Sequence, residues 1–185
     1  VRIVLLIVGL VVGVVAPLSG HDQVVGRRVR NGYVLACEEV NLHGGYRSGV
    51  PFRLLERDEH DTWGAAGNAL VDLVTQQGCV AVLGAMEDEA SHVMTRVLLK
   101  LGIPMMNTNG TDPTLTEHMI PWLVRVRPDD RQAAYLLARR IFLEDRRERV
   151  VYFRANDRYA RKGIGELSDA ARRLGKPIAL EMRYP

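Results

Sequence analysis

The stretch "CVAVLGAMEDEASH", Cys79 to His92, decides how the rest of the chain is read. A short, wholly apolar run closed by Gly84 has the length and composition of a strand buried on both faces. Glu87, Asp88 and Glu89 follow at once, and a segment of helical period then runs from about Asp88 to Leu101 and is stopped by Gly102. Where strands and helices alternate, the C-terminal end of a strand faces the N-terminus of the next helix, and ligands gather at that edge. The partial positive charge of a helix N-terminus favours anions. Three acids there either complement that dipole or turn the edge toward a cation or a hydrogen-bond donor. Asp88 is expected at or near the N-cap of the helix, with Glu87 and Glu89 turned to water or paired with arginines.

The same alternation extends in both directions. A strand near Val11 to Ala16 is followed by the turn "PLSG" and a helix from about Val25 to Asn41 that ends at "HGG". Then come the strand "PFRLLER", a helix from Thr62 to Gln77, the strand "CVAVLG", its helix, and the short strand "IPMMN". "NTNGTDPTLTE" breaks the rhythm as a polar loop rich in turn formers. "WLVRVRP" reads as a strand leaving the first unit. A helix from Asp130 to Leu143, the strand "RVVYFR", a helix from Tyr159 to Leu174 and the strand "PIALEMRY" begin a second series. The fold class is therefore α/β with a largely parallel sheet. Two or three strands cannot cover both faces of an independent sheet, so the second unit reads as partial and is expected to expose an apolar edge that favours self-association.

With 185 residues, 47% hydrophobic and 25% charged, the composition is that of a globular chain. The net charge of +3 comes mainly from arginines interspersed with acids; Lys100, Lys162 and Lys176 are the only lysines. The densest run, "EDRRERV", alternates in sign and reads as a solvated helix end, which excludes a nucleic-acid stripe. Cys37 lies in a helical pattern and Cys79 opens a strand, and their spacing matches no metal or redox motif. "RDEHD" around His60 offers oxygen donors without a second histidine at ligand spacing and reads as a surface turn. No metal and no cofactor is expected. Gly9 and Gly13 lack the dinucleotide-binding spacing, and there is no nucleophile elbow or phosphate-cradling loop, so no enzyme activity is expected.

At the N-terminus Arg2 precedes an apolar run from Ile3 to Ala16, which has the charged start and hydrophobic region of a secretory signal. The run is short for a membrane span. Residues 1–10 are thus a signal, a membrane tether or part of the first strand.

Taken in order, "VGVVAPLSG", "NGYVLACEEVNLHGG", the stretch from "VAVLG" to "TDPTLTE", and "WLVRVRPDD" resemble the amino-terminal half of the type I periplasmic binding proteins, in the branch that serves branched-chain amino acids and amides. The resemblance runs from about Val11 to Tyr184. It implies a Rossmann-like first lobe over residues 11–120, a crossing strand or hinge at 121–128 and part of a second lobe at 129–185. It further implies an extracytoplasmic, periplasmic protein that binds a small amino-acid-like or amide-like solute and delivers it to the membrane permease of an ABC transporter. The site residues it points to are Ser19, Asp88, Gly110, Thr111 and Tyr159. The residue types suit such work: "PLSG" and "NTNGTDP" stand at strand C-termini and offer backbone amides and short hydroxyls.

Departures from the family's pattern bear on the ligand. Where the family places a serine that grips the ligand carboxylate, ungapped counting puts Asp88, and like charge there disfavours a simple amino acid. Val25 stands where an aromatic is often found, and Ala160 where the family has glycine. The family's second lobe is longer, so the chain reads as a truncated copy or one piece of a larger product, and on its own is expected to bind ligand weakly. The alternatives are the ligand-binding sensory domain of a receptor, which the same residues would serve, and a nucleotide-using α/β domain, which rests on fold analogy alone.

Overall fold

The computed structural model describes residues 9–59 and 64–184. The leader or tether expected over residues 1–10 falls mostly on residues 1–8, and the turn at His60 on residues 60–63, both outside the described residues. Among the described residues no helix is long and apolar enough to cross a membrane.

The chain divides into two compact units, the first running through Gly110 and including Met119–Val126, the second made of Thr111–His118 and the chain from Arg127 onward. The first unit is a five-stranded parallel sheet. Its strands are β1 (Leu10–Ala16), β2 (Phe52–Asp58), β3 (Ala81–Leu83), β4 (Met105–Asn107) and β5 (Leu123–Arg125), in the order β2-β1-β3-β4-β5. The helices α1 (Gln23–Leu42), α2 (Ala65–Thr75) and α3 (Asp88–Leu101) make the crossovers. The expected elements are present with shifted ends. The N-terminal residues of the helix expected from Thr62 lie outside the described residues, and Gly64 precedes α2 in a left-handed conformation.

Continuous apolar strands are what a sheet covered on both faces requires. Val14, Val15 and Val82 are completely buried, together with Leu70 and Leu73 of α2 and Met94 and Leu98 of α3. Each such side chain contributes about 1.5–3 kcal/mol of transfer free energy. Two glycines are dictated by close approach. A Cβ on Gly26 would lie 1.9 Å from the Pro17 carbonyl oxygen, which lets α1 start against the "PLSG" turn. Gly84 has φ +124°, and a Cβ there would lie 2.1 Å from the Val15 carbonyl oxygen.

The second unit contains α4 (Thr114–Glu117), α5 (Asp130–Arg139), β6 (Val151–Ala155), α6 (Arg158–Arg173) and β7 (Leu180–Tyr184), with β6 and β7 a parallel pair. A capping box between Asp129 and Gln132 starts α5, and the Asp157 carboxylate accepts the Ala160 N–H at the start of α6. The helix expected to continue to Leu143 widens into a π turn at Arg140–Glu144, and Phe142 joins the core formed by Ala134, Ala138, Leu167, Ala170 and Ala171. Tyr152 packs on that core and Arg154 is buried, paired with Glu181 at 2.6 Å. The opposite face of the two strands carries Val151, Phe153, Leu180, Met182 and Tyr184, all exposed.

Candidate functional site

All five strands of the first unit run in parallel, so the loops that follow them emerge at one sheet edge. The chain leaves β1 toward β2 on one side and returns from β2 to β3 on the other. That puts the topological switch point, the usual ligand position in such sheets, between β1 and β3. Ser19 follows β1, Asp88 follows β3 and Gly110 follows β4, so three of the five expected site residues share this rim.

Hydrogen bonds knit the rim together. Asp58, the last residue of β2, accepts the Leu18 N–H at 2.8 Å through Oδ1 and the Ser19 hydroxyl through Oδ2. Ser19 is thereby bound to a carboxylate and not to the start of α1, where Asp22 holds the N-cap position. Asn107 at the end of β4 is completely buried and has both ends of its amide occupied. Its Nδ2 donates to the Ala85 carbonyl (3.2 Å) and to Ser91 Oγ (2.6 Å), while Oδ1 accepts the N–H groups of Asn109 (3.1 Å) and Gly110 (2.6 Å). Asn109 in turn donates to the Met86 carbonyl at 2.9 Å. The loops after β3 and β4 are thus one hydrogen-bonded body. Tyr33 of α1 joins it through Thr108, and burial pushes the Tyr33 phenol above its ordinary value.

Glu59, directly after β2, was read only as part of a turn, yet it is 6% exposed. Its Oε1 accepts the Met86 N–H at 3.1 Å, and its Oε2 has no hydrogen-bond partner among the described residues. Burial lifts its pKa from 4.5 to about 8; the Met86 N–H opposes this, and the charges of Glu87, Asp58 and Asp22 add to it. Asp88 is half-buried and is the first helical residue of α3. The N-cap position belongs to Glu87, whose side chain makes no capping bond, and Asp88 stands next to it, within the expected position at or near the cap. Glu87 and Glu89 are exposed, as expected.

Thr111 and Tyr159 lie in the second unit. Thr111 is buried and its carbonyl accepts the Asp130 N–H at 2.8 Å. The buried Asp112 carboxylate accepts the Thr114 N–H and hydroxyl through Oδ1 and pairs with Arg158 at 2.8 Å through Oδ2. That pair brings the Thr111 segment beside the start of α6, where Tyr159 is 62% exposed. Arg131 bridges Glu117 and Glu166 on the same unit, and the Glu166 bond leads in holding its guanidinium charge. Asp58, Glu59, Ser91 and Asn107 were missed by sequence reasoning. Asn107 and Ser91 had a signal, polar residues at strand-end and helix positions that face the sheet; Glu59 had none beyond its place in "RDEHD". Among the described residues no three His, Cys, Asp or Glu side chains converge as metal ligands, and Cys37 and Cys79 are free thiols.

The model of the family described as "Periplasmic binding protein" matches residues 9–185. The chain belongs to that family. Among curated relatives it is 25% identical over 164 residues to the Leu/Ile/Val-binding protein BraC3 of Rhizobium johnstonii, covering 89% of this chain and 44% of that one. It is 23% identical over 155 residues to glutamate receptor 3.4 of Arabidopsis thaliana, covering 84% of this chain and 16% of the receptor. Among solved structures it superposes with TM-score 0.82 and 26% identity on the ABC transporter substrate-binding protein of Desulfitobacterium hafniense in complex with Leu, covering 96% of this chain and 51% of that one. The LivJ branched-chain amino acid transporter substrate-binding protein of Streptococcus pneumoniae, in complex with isoleucine, gives TM-score 0.83 at 21% identity, covering 95% and 49%. The chain therefore spans about half the length of these solved structures, and it shares their parallel α/β fold.

Proposed function

We propose that this chain is part of an extracytoplasmic solute-binding protein that recognises a small amino-acid-like or amide-like ligand and hands it to the permease of an ABC transporter. The observation that carries the reading is the rim of the first unit, where the loops after β1, β3 and β4 present Ser19, Asp88 and Gly110 at the switch point of a sheet shared with amino-acid-binding relatives. Recognition rests on hydrogen bonds and no reaction is assigned. Thr111 and Tyr159, both on the second unit, are proposed as ligand contacts there. A sensory reading, in which the same rim serves the ligand-binding region of a receptor, is favoured by the match to plant glutamate receptors over 84% of this chain. We also propose that the bare face of β6 and β7 drives self-association with a second copy, since five exposed apolar side chains on one strand pair form a continuous patch.

The test is a two-dimensional amide NMR titration of the chain with leucine, isoleucine, glutamate and acetamide at millimolar concentration, where weak binding is still visible. Shifts confined to the amides of Leu18 to Gly20, Ala85 to Asp88 and Asn109 to Thr111 are expected with at least one of them. A well-dispersed spectrum that no solute perturbs there would refute the solute-binding reading.

A further inference from the structure

The second unit gathers cations at one end. Strands β6 and β7 are parallel, α5 leads into β6 and α6 leads into β7, and both helices pack on one core, so both finish at the edge where the two strands begin. Arg131 of α5 bonds Glu166 of α6, and the completely buried Ala138 and Ala171 share that core, which brings the last turn of α5 beside the last turn of α6. The connecting loops are tied down as well. The Arg147 N–H donates to the Ile141 carbonyl at 2.9 Å, the Lys176 N–H to the Ala171 carbonyl at 3.0 Å, and the Ala179 N–H to the Val150 carbonyl at 2.9 Å. Arg139, Arg146, Arg147, Arg149, Arg173 and Lys176 thus stand at one end of the unit, all exposed.

The acids at that end are largely engaged elsewhere. In the sequence "EDRRERV" alternates in sign, but in the fold Glu144 and Asp145 both pair with Arg140, at 3.0 and 3.2 Å, and Asp169 pairs with Arg172 at 2.9 Å. The six cations have no ion-pair partner among the described residues, and Glu148 is the acid left against them. Complementing the helix dipoles accounts for Arg139 and Arg173 and leaves the loop arginines unexplained. The surplus fits phosphate, because a guanidinium presents paired N–H donors that match phosphate oxygens. Leu143, between Arg139 and Arg146 in the chain and 48% exposed, decides between sources of phosphate. A soluble polyanion has no use for that side chain, whereas a bilayer surface takes an apolar side chain below a ring of cations. We propose that this basic end of the second unit is a docking surface for anionic phospholipid headgroups, on which the protein rests peripherally with Leu143 entering the interface. The surface uses none of the rim residues and goes beyond the solute-binding reading.

The experiment is flotation of the whole chain with large unilamellar vesicles of phosphatidylcholine, alone or with about 30% phosphatidylglycerol, from about 50 to 500 mM NaCl. The chain should float with the phosphatidylglycerol vesicles, progressively less as salt rises, and not with phosphatidylcholine alone. Each cation held near an anionic surface is worth about fivefold in affinity, so Arg146→Gln, Arg147→Gln and Arg149→Gln together should lower partitioning about a hundredfold. Arg173→Gln with Lys176→Gln should lower it about twentyfold, although these two are remote in sequence from the loop arginines. Arg27→Gln with Arg28→Gln, exposed on α1 of the first unit, should stay within about twofold of the parent, which separates a local surface from the overall charge. Leu143→Ala should weaken vesicle binding several-fold and leave retention on heparin, a soluble polyanion, unchanged. All these side chains are exposed, and retained amide dispersion checks that each variant is folded. Absence of binding to phosphatidylglycerol vesicles, undiminished binding in the Arg173 and Lys176 variant, or an equal loss in the Arg27 and Arg28 variant overturns the proposal. So does a Leu143→Ala protein that floats as well as the parent, since the surface then serves soluble polyanions.

Discussion

Replacing Glu59 by glutamine should make the stability of the first unit depend differently on pH. Glu59 holds its proton to about pH 8 in the folded chain against 4.5 in the unfolded one. Below pH 4.5 both states are protonated and the group makes no pH-dependent contribution. Between 4.5 and about 8 the unfolded chain ionises while the folded one does not, so stability falls as pH rises; above about 8 both are ionised and the loss is constant. At about 1.4 kcal/mol per unit the full loss is about 5 kcal/mol. Glutamine keeps an oxygen for the Met86 N–H but puts an amide with two N–H groups where the protonated acid has one O–H, and the further unsatisfied donor costs about 1–3 kcal/mol. The variant should therefore be less stable than the parent at low pH and more stable at high pH, with the curves crossing near pH 6. Urea unfolding followed by tryptophan fluorescence is the assay. The first unit carries Trp122 and the second unit's segments contain no tryptophan, so the signal follows the right unit. A difference between the two proteins that stays flat, within about 0.5 kcal/mol, from pH 4 to pH 9 would refute the linkage.

Three further perturbations separate structural from recognition roles. Asn107→Ala removes the acceptor of the Asn109 and Gly110 N–H groups and the donor to Ala85 and Ser91, and should cost about 2–4 kcal/mol in the same urea assay, with less than 1 kcal/mol arguing against the knitted rim. Asp88→Ser should strengthen the response to leucine several-fold in the NMR titration and cost only the dipole complement of about 0.3–1 kcal/mol. Unchanged affinities with a melting temperature lowered by several degrees would leave Asp88 a helix-terminal charge and nothing more. Phe153→Glu, on the exposed face of β6, should shift sedimentation toward the monomer at high concentration, and an unchanged distribution would exclude that face as the self-contact.

Periodicity and composition were enough to read the alternation of strands and helices, because strands buried on both faces must be continuously apolar and amphipathic helices must repeat every three to four residues. They placed α3 at about Asp88 to Leu101, with its end at Leu101 marked by the glycine stop at Gly102. The ordered series of loop motifs was enough to read the family. It also located Ser19, Asp88 and Gly110 at strand ends, which is a matter of chain order alone.

What chain order could not supply was the pairing among those ends. Strand order β2-β1-β3-β4-β5 is set by which crossovers pack on which face, and only that order puts the loops after β1 and β3 side by side. Asp58 holding Leu18 and Ser19, Asn107 joining two loops, and Arg158 reaching Asp112 link residues between 16 and 46 positions apart. Glu59 shows the limit most plainly. In the sequence it is one acid among four in "ERDEHD", and nothing local separates it from a solvated neighbour. Its burial comes with ties to distant segments, since its N–H donates to the Ala16 carbonyl of β1 and its Oε1 accepts the Met86 N–H in the loop after β3. A carboxyl group's charge state depends on the water that those distant segments remove.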